Sequence, residues 1–206
     1  MKKLSVLAIV LVLMAFAAPA GVKADFKLGV TAGNQGLNGF YLSVGNYNRI
    51  PEREVVVVKQ QGISDEELPV VFFLAAKAKV PYGEIVKLRL KRWGWMKIAQ
   101  KYKLDPAIFY VPVNGEVKGR VYGRSYGYYK GRPQPQWKKI KLSDEDIVNF
   151  VNLRFVSEHY GYAPEEVIKM REQGRNFVTI DNDIRVMKTK NAKPVKEKRG
   201  HGKNGR

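Results

Sequence analysis

The feature that most constrains this chain is a pattern it carries twice. Ile63–Ala99 reads ISDEELPVVFFLAAKAKVPYGEIVKLRLKRWGWMKIA, and Leu142–Asp181 reads LSDEDIVNFVNLRFVSEHYGYAPEEVIKMREQGRNFVTID. Each opens on an apolar residue followed by Ser-Asp-Glu, then passes through an apolar run and a turn with proline. Each reaches a core of one pattern, Glu84-Ile85-Val86-Lys87-Leu88-Arg89 or Glu166-Val167-Ile168-Lys169-Met170-Arg171. An aromatic and an isoleucine follow, Trp95 with Ile98 and Phe177 with Ile180. The offset is 79 at the serines and 82 at the cores, so three residues are inserted between these points. Self-similarity of this kind marks a duplicated helical unit.

The helix signals have physical causes. Ser64 with Glu67 makes an S-x-x-E capping box, and Ser143 with Asp146 makes the shorter S-x-x-D version. Acidic residues after each cap favour the positive end of the helix dipole. Val70 to Ala76 is apolar on every side, which predicts a centrally buried helix. Pro69 falls just past the first turn and removes one backbone donor. Pro81 and Pro164 suit the starts of the next helices. Residues 94–103 and 175–182 read as short third elements, the second of which could be extended, since Phe177-Val178-Thr179-Ile180 also suits a strand. Ahead of the first unit, Phe40 to Val44 resembles a strand with alternating faces. Arg53 to Gln61 has four valines that favour a strand, while Pro51, Glu52 and Glu54 favour a helix start; we read it as a helix.

The expected fold is mainly α with a small N-terminal β element, its two similar helical units joined by a basic Gly/Tyr-rich linker. The expected divisions are a signal peptide at 1–24, the β element and first unit at 25–114, a basic aromatic linker at 115–141, the second unit at 142–187 and a disordered basic tail at 188–206. The first boundary rests on Lys2 and Lys3 ahead of an uncharged apolar stretch from Leu4 to Ala18, short for a bilayer span, and on Val22-Lys23-Ala24 at the expected cleavage point. The implied location is periplasmic or secreted, with no membrane span after removal. With no cysteine, disulfides, thiolate zinc sites and lipidation at a signal cleavage site are excluded.

Charge is distributed in blocks. The chain has 37 Lys and Arg against 19 Asp and Glu. Residues 115–141 hold eight cations and one acid, and residues 188–206 hold the same, whereas residues 142–187 hold five cations and nine acids. Blocks of one sign are usually solvated and often meet polyanions.

The inventory for chemistry is thin. His201 lies in the expected tail, which leaves His159 as the one histidine that a fold could position, with Ser157 and Glu158 beside it. Ser157 and His159 point to different faces of a helix and are poorly placed for nucleophile activation. A histidine at a helix end is also explained by the negative end of the dipole. The carboxylate groups at 65–67 and 144–146 are explained by capping. Asp181 and Asp183 lack the spacing and distal Glu of a calcium loop. No phosphate loop, dinucleotide fingerprint or nucleophile elbow is present. Trp93–Leu104 faintly resembles half of a helix-turn-helix, but an exported chain has no operator to read, and Trp95, Ile98 and Leu104 are more simply core. No cofactor and no metal are expected.

Between the units runs GRVYGRSYGYYKGRPQPQWKKIK, Gly119 to Lys141. Tyr122, Tyr126, Tyr128, Tyr129 and Trp137 alternate with Arg120, Arg124, Lys130, Arg132, Lys138 and Lys139. Cations attract phosphate, sulfate or carboxylate, and aromatic faces stack on bases or sugar rings. These residues are the candidate polyanion-binding site. Two other readings stay open: an inert linker kept soluble by its charge, and an ordered ribbon that packs its tyrosines on the helices. The Ser-Asp-Glu starts, the Glu-x-x-Lys-x-Arg cores, SEHYGYAPEEV and the Gly/Lys tail together resemble small exported bacterial proteins with paired helical units. That resemblance covers most of residues 40–206 and implies an architecture without an activity. The expected function is a non-catalytic envelope or matrix protein that binds an anionic polymer (polysaccharide, phosphate-rich polymer or extracellular nucleic acid). The alternatives are a small cell-wall hydrolase using His159, a self-associating structural protein, and a protein partner as the true ligand.

Overall fold

Helices follow one another through the chain as α1 (Ala32–Asn48), α2 (Glu52–Gln60), α3 (Leu68–Ala78), α4 (Tyr82–Leu90), α5 (Trp95–Lys101), α6 (Gly123–Gly127), α7 (Asp144–Tyr160), α8 (Pro164–Glu172) and α9 (Phe177–Asn191). Short 3-10 turns at Asp65–Glu67, Pro106–Phe109 and Gln134–Lys139 link them. These assignments come from a computed structural model that describes residues 32–191. Among the described residues the protein is mainly helical and has no strand. The expected signal peptide at 1–24 and residues 192–206 of the expected tail lie outside the described residues. The first residues of that tail, Lys188 to Asn191, continue α9.

The expected N-terminal β element is corrected. Phe40 to Val44 belongs to α1, where Phe40, Tyr41 and Val44 are buried and Leu42 is 46 % exposed. A strand would have buried Leu42 and exposed Tyr41. The i, i+1, i+4 spacing is that of a helix face. The segment after Pro51 is helical, as read. Glu52 and Glu54 occupy its first turn, Lys59 its last, and Val55 and Val58 face inward. The extended alternative for Phe177–Ile180 is also corrected. That stretch opens α9, whose buried residues Phe177, Ile180, Asp181 and Ile184 follow helical spacing.

The centre of the molecule is the packing of α3 on α7. Leu68 through Ala75 are all buried, so α3 is covered on every side. Ser143 caps α7, and Ser64 caps the Asp65–Glu67 turn that leads into α3. Ser143 accepts the Asp146 backbone N–H, and the Asp146 carboxylate accepts the Ser143 N–H at 2.8 Å; at the other start the Glu67 carboxylate accepts the Ser64 N–H at 3.3 Å and the Ser64 hydroxyl at 2.8 Å. The helix pairs α4–α5 and α8–α9 flank this centre, and α1 lies across α9 and α2. Where α1 meets α9, the Arg185 side chain lies against Gly39, a place where any Cβ would collide with the guanidinium.

Acidic side chains tie the flanks to the centre. Asp144 accepts the Trp95 backbone N–H at 2.7 Å and so caps α5 from α7. Glu66 accepts the Phe177 backbone N–H at 2.7 Å and caps α9 from the turn before α3. Arg89 joins Glu67 and Asp144 and stacks 4.6 Å over the Trp95 ring. No described helix is long and apolar enough to cross a membrane.

Candidate functional site

The basic aromatic segment is an ordered layer on the helical centre. Two glutamates of α8 hold it by its backbone. Glu165 accepts the Asn114 N–H. Glu172 accepts three consecutive N–H groups, from Arg120, Val121 and Tyr122, at 3.0, 2.9 and 3.1 Å. Gly119 makes this possible, because it sits at φ +137° and a Cβ there would lie 2.5 Å from the Glu172 carboxylate.

The structure separates the predicted site residues into two groups. Tyr122, Tyr126 and Tyr129 are buried, at 0 %, 7 % and 3 % exposure. Tyr122 donates its hydroxyl to the Asn149 carbonyl, Tyr126 to Val111 and Tyr129 to Pro106, each at 2.8–3.0 Å. All three rings pack on Phe150 of α7. Burial pushes their hydroxyls well above the ordinary tyrosine range, so they remain protonated donors. They are core residues, and the expectation that they stack on a ligand is corrected for these three. The segment expected as a basic aromatic linker holds the short helix α6 and the Gln134–Lys139 turn and packs these tyrosines on α7. An unpaired hydroxyl in a core is costly, and here each finds a carbonyl.

The second group faces outward. Arg120, Arg124, Lys130, Arg132, Lys138 and Lys139 are all exposed. Arg124 comes only within 4.0 Å of Asp146, and Lys130 pairs with Glu116. Arg120, Arg132, Lys138 and Lys139 make no ion pair among the described residues. Tyr128 and Trp137 are half-buried at the same surface.

Beside one of these cations, Lys130, lies a groove of about 480 Å³. Its aromatic floor is Tyr110, Tyr126, Tyr129 and Trp137. The Trp137 ring lies 4.7 Å from Tyr110 and 4.9 Å from Tyr129, and its indole N–H donates to the Arg132 carbonyl at 3.0 Å. Glu116 and Lys130 form one wall. Hydrogen bonds from Lys130 and then Lys118 hold the Glu116 carboxyl below its ordinary range, so it is ionised. Sequence reasoning assigned no site role to Tyr110 or Glu116. The signal for Tyr110 was the apolar run Ile108 to Val111, which belongs to neither repeated pattern.

The His159 region does not assemble as an acid–base site. His159 stacks on Phe155 and meets Tyr47 and Tyr160 edge-on. Burial lowers its pKa. Its neighbour Glu158 accepts the Tyr47 hydroxyl and pairs with Arg154. Asp181 accepts Tyr160 at 2.6 Å and Arg185 at 2.9 Å, while Asp183 pairs with Arg175. Among the described residues no three His, Asp or Glu side chains converge as metal ligands. Set against protein-family models, curated proteins and solved structures, the chain matches none.

Proposed function

We propose that this is a non-catalytic binding protein of the cell envelope or matrix, acting after removal of residues 1–24, whose ligand is an anionic polymer. The observation that carries the reading is the split within one segment. Three of its tyrosines, Tyr122, Tyr126 and Tyr129, are fixed in the core while six of its cations, Arg120, Arg124, Lys130, Arg132, Lys138 and Lys139, stand on the outer surface. A segment that served only for solubility would need no such scaffold. Cations held in place lose less freedom on meeting a polyanion than cations on a loose linker. Basic residues 192–206 supply a second contact, which gains from effective concentration once the first is made.

We also read Ile63–Ala99 and Leu142–Asp181 as two copies of one unit. The left-handed residues that end successive helices support it: Lys79 and Gly161 are 82 positions apart, as are Arg92 and Gly174. Arg89 donates to the carbonyl four residues on, Trp93, and covers the ring six residues on; Arg171 does both with Arg175 and Phe177. The three-residue insertion falls in the first helix, where α7 has 17 residues against 3 and 11 in the Asp65–Glu67 turn and α3.

Retention on a sulfated polysaccharide resin tests the binding reading. The full chain without residues 1–24 elutes at high ionic strength. A variant with the six cations changed to Gln elutes much earlier. Equal elution of the two proteins contradicts the proposal.

A further inference from the structure

The groove beside Lys130 has the composition of a site for a sugar ring. Trp137 and Tyr110 are half-buried and line it. The Trp137 indole is tethered through its N–H, so the ring is held ready and does not have to be ordered on binding. Glu116 and Lys130 place an ionised acceptor and a cationic donor side by side on the wall. They are exposed and joined to each other, a pair that costs little to open.

Two glycines support a ligand more directly. Gly127 lines the groove at the end of α6, and a Cβ there would meet nothing within 4 Å. Its φ is not positive, so neither backbone conformation nor packing calls for glycine. Glycine in a helix costs up to about 1 kcal/mol against alanine. Gly123, also on the groove, has an ordinary φ, and a Cβ would meet only ordinary contacts at 3.8 Å. Both glycines leave the lining bare at these two positions.

We propose that this groove takes a sugar ring of an acidic glycan, a chain of uronic-acid type. The ring stacks on Trp137 and Tyr110, its hydroxyls donate to Glu116, and its carboxylates meet Lys130 and the outer cations. Single-stranded DNA fits less well, since its sugar-phosphate backbone offers Glu116 no hydroxyl donor, whereas each ring of a uronic-acid chain does. The proposal rests on the polyanion reading above and names the ligand class of that surface.

The test compares three proteins, the wild type, Gly127→Leu and the six-Gln variant, on polygalacturonate, on polyphosphate and on single-stranded DNA. Gly127→Leu adds a bulky side chain to the groove lining and removes no charge. Circular dichroism checks its folding, and Trp137→Ala replaces it if it fails to fold. The expected result is a loss of tenfold or more for Gly127→Leu on polygalacturonate, with polyphosphate binding unchanged. The six-Gln variant weakens on both. A wild type that ignores polygalacturonate overturns the glycan assignment, as does a Gly127→Leu variant that binds it normally. So does a groove-dependent loss confined to single-stranded DNA. Unchanged polyphosphate binding by the six-Gln variant sinks the polyanion reading instead, so the two failures are distinguishable.

Discussion

At the residue scale, neighbours in one short stretch do opposite work. Tyr122 is fully buried, packs on Phe150 and donates to Asn149, while Lys138 is exposed and has no ion pair among the described residues. Truncating a buried aromatic to alanine typically costs about 3–5 kcal/mol, whereas exposed substitutions stay within about 0.5 kcal/mol. Urea denaturation of Tyr122→Ala and Lys138→Gln is expected to show that contrast; near-equal stabilities would restore the linker reading. Glu172→Ala removes a carboxylate that accepts three backbone N–H groups and is expected to cost about 2 kcal/mol by the same measurement. His159 supplies a pH prediction. Its folded pKa lies below the ordinary 6.5 because of burial, with Asp181 opposing and Lys188 reinforcing the shift. A depressed histidine leaves the unfolded state binding more protons, so its contribution is complete above the unfolded pKa and is lost as pH falls through 6.5 towards the folded value. Urea midpoints at pH 7.5 and 5.5 are expected to fall less in His159→Asn than in the wild type. Equal falls would mean that His159 is not desolvated.

At the element scale, the caps are reciprocal. Asp144 at the start of α7 holds the first amide of α5, and Glu66 before α3 holds the first amide of α9. Loss of a cap costs about 0.5–2 kcal/mol. Glu66→Ala is expected to lie in that range with an unchanged denaturant slope, and Asp144→Ala above it, because Asp144 also pairs with Arg89. No loss in either variant would contradict the capping role. The helices with serine starts and proline turns were legible in the sequence, since those signals are local. Phe40, Leu42 and Val44 alternate like a strand, but the wider stripe with Leu37, Tyr41 and Tyr47 has helical spacing. What covers that stripe is α9 and α7, far along the chain. For the same reason the tyrosines of 122–129 could not be assigned: the residues that bury them, Phe150 and the carbonyls of Pro106 and Val111, follow from tertiary packing rather than from neighbours in sequence.

At the scale of the whole molecule, one helical body fixes a cationic surface and a groove on one segment. The cations themselves were legible, because charge blocks are visible in composition. The groove was not, because it needs Tyr110 and Glu116 brought beside Trp137. The central claim is that these fixed cations meet a polyanion. Its most direct test is the dependence of affinity on salt for the chain without residues 1–24, measured on polyphosphate for the wild type and the six-Gln variant. Displaced counterions set the slope of log affinity against log salt. The wild type is expected to show a steep slope and the variant a clearly shallower one, with weaker binding. The same slope and affinity in both proteins would contradict the central claim.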